Sequence, residues 1–149
     1  PRRAREPVSS SPGTFTKGDT VPVCEAGVPV LDVTVDDVRC AATLGTVIAP
    51  AGETYVGVEI TIVVERDGEE VDPFYWAIAI DETSAGTLVY NDSPTFSPAF
   101  TYGVLAGGDV VHGWLTYAVP LPTRSIVVTY RGNPYTALPV FEVHPGICL

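Results

Sequence analysis

From Val30 to Val64 apolar and polar residues alternate almost without a break. A period of two puts successive side chains on opposite faces of an extended chain, so this stretch must fold as strands with one face in a core. Leu31, Val33 and Val35 share one face of Val30 to Val38, and Asp32, Thr34 and Asp36 share the other. Tyr55 to Glu65 carries the strongest row: Val56, Val58, Ile60, Ile62 and Val64. A helix would scatter both rows around its axis.

The rest of the chain continues the pattern. An extended run lies between Thr14 and Cys24, and Ala26-Gly27 offers a turn into Val30 to Val38. Pro50-Ala51-Gly52 is a loop, and Arg66-Asp67-Gly68-Glu69 reads as a tight hairpin turn, because Asp-Gly accepts positive φ readily. Phe74 to Asp81 is the next strand, with Trp76, Ile78 and Ile80 on one face. Leu88-Val89-Tyr90 is short, and Asn91 to Pro98 is a loop. In Val110 to Val119, Val111, Leu115, Tyr117 and Val119 share one face, His112, Trp114 and Thr116 the other, and Pro120 ends the run. Ser125 to Arg131 and Leu138 to Val143 complete the set. Seven or eight strands at turn spacing, without an amphipathic helix, predict an all-β antiparallel sandwich. Val33, Val35, Val58, Ile60, Ile62, Ile78, Leu115 and Tyr117 are its expected core.

Composition bounds what such a sandwich does. The 149 residues suit one domain. No apolar stretch reaches the roughly 18 residues of a membrane span, although mean hydropathy is +0.24. A net charge of −10 argues against nucleic acid, whose affinity depends on neutralising phosphates with Lys and Arg. That charge is uneven. Arg2, Arg3, Arg5 and Lys17 against Glu6 give the first 17 residues +3, leaving −13 on the rest. A basic arm, residues 1–16, therefore precedes an acidic domain, residues 17–149. No apolar segment follows Arg2 and Arg3, so the chain reads as a mature or trimmed product.

The segments Gly18-Asp19-Thr20-Val21, Leu31-Asp32-Val33-Thr34-Val35, Tyr55-Val56-Gly57-Val58-Glu59-Ile60-Thr61-Ile62 and Gly113-Trp114-Leu115-Thr116-Tyr117-Ala118-Val119-Pro120 carry a resemblance. In order and spacing they resemble an exported family of immunoglobulin-like domains of unknown function, found in bacterial and archaeal secreted proteins and lipoproteins and akin to a mycobacterial secreted immunogenic protein. The resemblance implies an extracellular or cell-surface sandwich and brings no catalytic residues to carry over. Glu65-Arg66-Asp67-Gly68 stands where members usually have an asparagine-containing turn, and Pro1 stands where lipoprotein members have a lipidated Cys.

Catalytic chemistry finds no support in spacing. His112 and His144 lack HxH or HxxxH partners, and the serines lack a nucleophile elbow. No cofactor is expected. Glu65, Asp67, Glu69, Glu70 and Asp72 could gather oxygen ligands for calcium, but without EF-hand or nonapeptide spacing they read as a solvated hairpin tip. His112 and Trp114 are the candidate surface contacts, since their face opposes the expected core row, which leaves Trp114 exposed or covered by another segment. Asn91-Asp92-Ser93 is a candidate glycosylation site. Of the three cysteines, Cys40 is expected to pair with Cys148: in a hairpin of Val21 to Cys24 with Val30 to Val38, Cys24 lies at the closed end, far beyond the roughly 7 Å a bridge spans.

The expected function is non-catalytic and extracellular: a self-associating cell-surface or filament subunit, a homo-oligomer or polymer that also meets other surface proteins. Arg2, Arg3 and Arg5 would dock on an acidic neighbour, or Val8 and Phe15 would flank a strand added to an open sandwich edge. The alternative is a monomeric binding module presenting Thr83 to Gly86 or Asn91 to Pro98 to a ligand or envelope partner.

Overall fold

The computed structural model describes residues 14–15, 17–80, 84–85, 87–88, 95–122, 126–130 and 140–143. In chain order its strands begin with β1 (Thr14–Phe15), β2 (Thr20–Glu25), β3 (Val28–Ala41), β4 (Thr43–Leu44), β5 (Val47–Ile48), β6 (Glu53–Val64) and β7 (Glu69–Val71). After a 3-10 turn (Pro73–Tyr75) come β8 (Trp76–Ile80), β9 (Ser84–Ala85), β10 (Thr87–Leu88), β11 (Gly103–Leu105), β12 (Val110–Pro120), β13 (Ile126–Tyr130) and β14 (Val140–Val143). Two five-stranded sheets face each other: the first in the order β1-β14-β13-β8-β9, the second β10-β12-β6-β3-β2. Among the described residues the strand pairings are antiparallel except β1 with β14. The protein is an immunoglobulin-like β-sandwich.

The core follows the period-two rows. Val33, Val35, Val56, Val58, Ile60 and Ile62 of the second sheet are fully buried, and Leu115 and Tyr117 nearly so. They pack on Trp76, Ile78, Ile126, Val128 and Tyr130 of the first sheet. All eight expected core residues lie in this cluster. One break in the alternation has a local cause. Val35 pairs with Ile60 but Asp37 pairs with Glu59, so Asp36 is an extra residue in a β-bulge. The bulge moves the inward phase from odd to even positions, and Val38 becomes the next buried residue.

Turn chemistry builds the hairpin of β2 and β3. Ala26 and Gly27 have φ of +52° and +80°, the left-handed pair of a type I′ turn. This register places Cys24 opposite Pro29 and Cys40 opposite Val56, so the two cysteines occupy opposite ends of β3.

Two expectations are corrected. Arg66 to Glu69 is a turn, with Gly68 at φ +83°, but not a hairpin: β6 already has β3 and β12 on its two edges, so β7 pairs instead with β11. Phe74 and Tyr75 are not strand residues. Asp72 caps a 3-10 turn there by accepting from the Phe74 N–H, and Pro73 supplies its fixed φ at the first position, so the strand begins at Trp76. Pro120 ends β12 as expected, standing opposite Glu53 as the strand's last residue.

Candidate functional site: the outer face of the second sheet and the end cavity

The outer face of the second sheet is built by the residues that alternate with the core row. Across the strands lie Thr20, then Thr34, Asp37 and Arg39, then Gly57, Glu59 and Thr61, then His112, Trp114 and Thr116. The polar members pair with one another. Thr20 and Thr34 hydroxyls stand 2.9 Å apart, and the Thr61 hydroxyl donates to Asp36 at 2.6 Å. Asp37 accepts from Lys17 Nζ, Arg39 Nε and the Val38 N–H. Burial pushes the Asp37 carboxyl up, but these three donors outweigh it and hold the group below its ordinary value. His112 Nε2 lies 2.6 Å from Glu59 Oε2.

His112 is exposed as expected, whereas Trp114 is buried. Phe96 stacks on the Trp114 indole with ring centroids 5.2 Å apart, and the Arg39 guanidinium stands 5.0 Å from the ring centroid. The covering segment is held by backbone. Trp114 N–H donates to Pro98 O, Phe100 N–H donates to Trp114 O, and Phe96 N–H donates to the Thr116 hydroxyl. Two glycines admit it. A Cβ on Gly57 would lie 2.6 Å from the Phe96 ring, and one on Gly113 would lie 2.7 Å from Phe100 Cα. Sequence reasoning missed Phe96 and Arg39. The signal was there in Gly57 and Gly113, glycines inside strands that mark close approach of another segment.

A second feature sits at one end of the sandwich. Val23, Glu25, Val30, Leu31, Arg66, Gly68, Glu69, Glu70, Tyr75 and Tyr130 line a cavity of about 190 Å³ that is partly open to solvent. Arg66 bridges Glu25 and Glu69, and this double pairing raises the guanidinium pKa further. Glu70 accepts from the Tyr75 hydroxyl at 2.9 Å and the Tyr102 hydroxyl at 3.0 Å. Those bonds push both phenols up, Tyr75 to about 12. Burial, then the charge of Glu69, pushes Tyr130 up as well. Beside the cavity Phe74, Tyr102 and Val104 are more than half exposed, with Val104 directly opposite Glu70 in the β7–β11 pair.

The acidic run is not simply solvated. Asp67 accepts from the Gly107 N–H, Glu69 from Arg66, Glu70 from two tyrosines, and Asp72 caps the 3-10 turn. Among the described residues no three His, Cys, Asp or Glu side chains converge as a metal centre. Arg2, Arg3, Arg5, Val8, Asn91, His144 and Cys148 lie outside the described residues. Phe15 lies on β1, opposite Phe141 in its own sheet.

No protein-family model and no curated protein sequence matches the chain. Solved structures do. The secreted protein MPT63 of Mycobacterium tuberculosis superposes with a TM-score of 0.65 at 14% identity, covering 90% of this chain and 99% of that one. The yjhA protein of Bacillus subtilis gives 0.63 at 14% identity, covering 87% and 98%. A candidate lipoprotein of Bacillus subtilis, ycdA, gives 0.60 at 11% identity over 81% of this chain, which spans only 38% of its length. These likenesses show the β-sandwich fold.

Proposed function

We propose that the protein is an exported, non-catalytic sandwich that works by surface contact and associates with copies of itself at the cell surface or in a filament. The observation that carries this reading is the end of the sandwich. Phe74, Tyr102 and Val104 are 60%, 51% and 57% exposed around one carboxylate, the arrangement of apolar anchors and a polar centre that contact surfaces use. The secreted protein and the candidate lipoprotein among the structural neighbours support export. The basic arm and the acidic body supply opposite charges for copies to meet.

Light scattering over a concentration series tests the reading. Wild type is expected to rise above monomer mass, and the variant Phe74→Ser, Tyr102→Ser, Val104→Ser to remain monomeric at the same concentrations. A wild type that stays monomeric throughout overturns self-association and favours a monomeric module that presents this end to another envelope protein. One sheet edge favours that second reading: β2 carries Pro22, which has no N–H to offer an added strand.

A further inference from the structure

We infer that copies of this chain stack end to end, the β4–β5 hairpin of one copy seating on the Phe74, Tyr102 and Val104 end of the next. This rests on the self-association reading and names the surface that meets that end.

Placement selects the two surfaces. β3 and β6 run side by side, with Ala41 opposite Tyr55 at one end and Leu31 opposite Val64 at the other. Nine residues of strand separate Tyr55 from Val64, about 30 Å at roughly 3.3 Å each. The hairpin leaves β3 and returns to β6 at the Tyr55 end. Phe74, Tyr102 and Val104 belong to the Val64 end, where Gly108 N–H donates to Val64 O, Gly107 N–H to Asp67, and the Tyr102 hydroxyl to Glu70. Val28 and Val110 are exposed at this same end, Val28 opposite Glu25 and Val110 opposite Val63. In the hairpin, Val47 is 41% and Ile48 73% exposed. Among the described residues the exposed large apolar side chains therefore gather at the two ends, and the length between them carries none.

The hairpin is built to present its pair. Gly45, at φ +61°, is the first of two turn residues, the position glycine takes in a type II′ turn. Thr43 pairs with Ile48, Leu44 with Val47, and Ala49 N–H donates to Ala42 O. Val47 and Ile48 thus stand on a closed ladder, so less ordering is left to be lost on contact.

Charge selects the partner. Residues 41–52 carry no charged side chain. Residues 65–72 carry five carboxylates and one guanidinium, a net −4. Two such ends face to face would set like charges together, which opposes a two-fold contact through this end. The neutral hairpin brings apolar side chains to the same end without that repulsion. Contact between two different surfaces is heterologous, and repeated from copy to copy it gives an open stack rather than a closed pair.

The test mixes two full-length variants, each damaged at one end. The hairpin variant is Val47→Ser with Ile48→Ser; the end variant is Phe74→Ser, Tyr102→Ser and Val104→Ser. All five side chains are exposed, so both variants are expected to keep the circular dichroism of wild type. By light scattering each alone is expected to stay monomeric, and an equimolar mixture to give a one-to-one pair of twice the monomer mass that grows no further. A second pair of variants reads the same contact through charge. Ile48→Glu is expected to weaken association about tenfold more than Ile48→Lys, because only the glutamate meets the acidic end with like charge.

A hairpin variant that associates as wild type does, a mixture that stays monomeric while wild type associates, or equal effects of Ile48→Glu and Ile48→Lys overturns the stacking assignment. The first of these leaves self-association through the Phe74 end standing. A wild type that is monomeric at every concentration refutes self-association itself, and the stack with it.

Discussion

The Phe96 ring lies against Gly57 so closely that a single methyl group on Gly57 would stand 2.6 to 2.8 Å from three of its carbons. The ring in turn covers Trp114. Gly57→Ala is therefore expected to push Phe96 aside, cost about 1–3 kcal/mol and red-shift tryptophan emission as Trp114 meets water. In a Phe96→Ala background the same substitution should cost almost nothing. Additive losses in a double-mutant cycle would show that the two residues do not share this contact.

Ala26 occupies a left-handed position that costs an L-residue with a Cβ about 1–2 kcal/mol. Asn tolerates it, as the type I′ preference for Asn-Gly shows. Ala26→Asn is expected to stabilise the fold by about 0.5–1 kcal/mol, read as a rise of a few degrees in Tm. A lower Tm would contradict the turn geometry.

Alkaline pH should unfold the protein from a definite window. Tyr75 is raised to about 12, first by its hydrogen bond to Glu70 and then by burial, and Tyr102, Tyr117 and Tyr130 are raised too. An unfolded phenol ionises near 10. Between about 10 and 12 the folded state therefore binds more protons, so stability is full below pH 10 and falls as pH rises through that range. Phenolate absorbance is expected to lag the ordinary titration and then rise together with loss of circular dichroism. Seven tyrosines ionising near pH 10 with the fold intact would refute this.

Peptide mapping under non-reducing conditions is expected to recover Cys40 linked to Cys148. Cys24 is buried opposite Pro29, eleven residues or roughly 35 Å along β3 from Cys40, which excludes the competing pair. A bridge closing so long a loop constrains the unfolded chain strongly. Reduction is expected to cost about 2–5 kcal/mol in a denaturant melt. A Cys24–Cys40 peptide would contradict the β2–β3 register.

The sequence exposed most of the sandwich because its strands bury one face, and the rows of Val and Ile in β3 and β6 carry that constraint directly. The bulge at Asp36 was not legible, since a phase shift from Val35 to Val38 looks like noise until Ile60 and Glu59 fix the register. Nor was the fate of the chain after Val64. Asp67-Gly68 specifies a turn locally, but which strand follows depends on β6 already having both neighbours. On the outer face, His112 and Trp114 were legible as positions, because alternation tells which side a residue takes. Their surroundings were not. Arg39, Phe96 and Glu59 come to them from three other segments, and the Tyr75–Glu70–Tyr102 group joins the 3-10 turn, β7 and the segment before β11 in the same way.

Pro22 has no N–H, so β2, an edge strand of the second sheet, presents a broken row of donors to any added strand. If copies associate as proposed, side chains rather than ladder bonds carry the contact at that edge. Contact of that kind weakens with salt and on dilution, and it gives a neighbour no template for refolding.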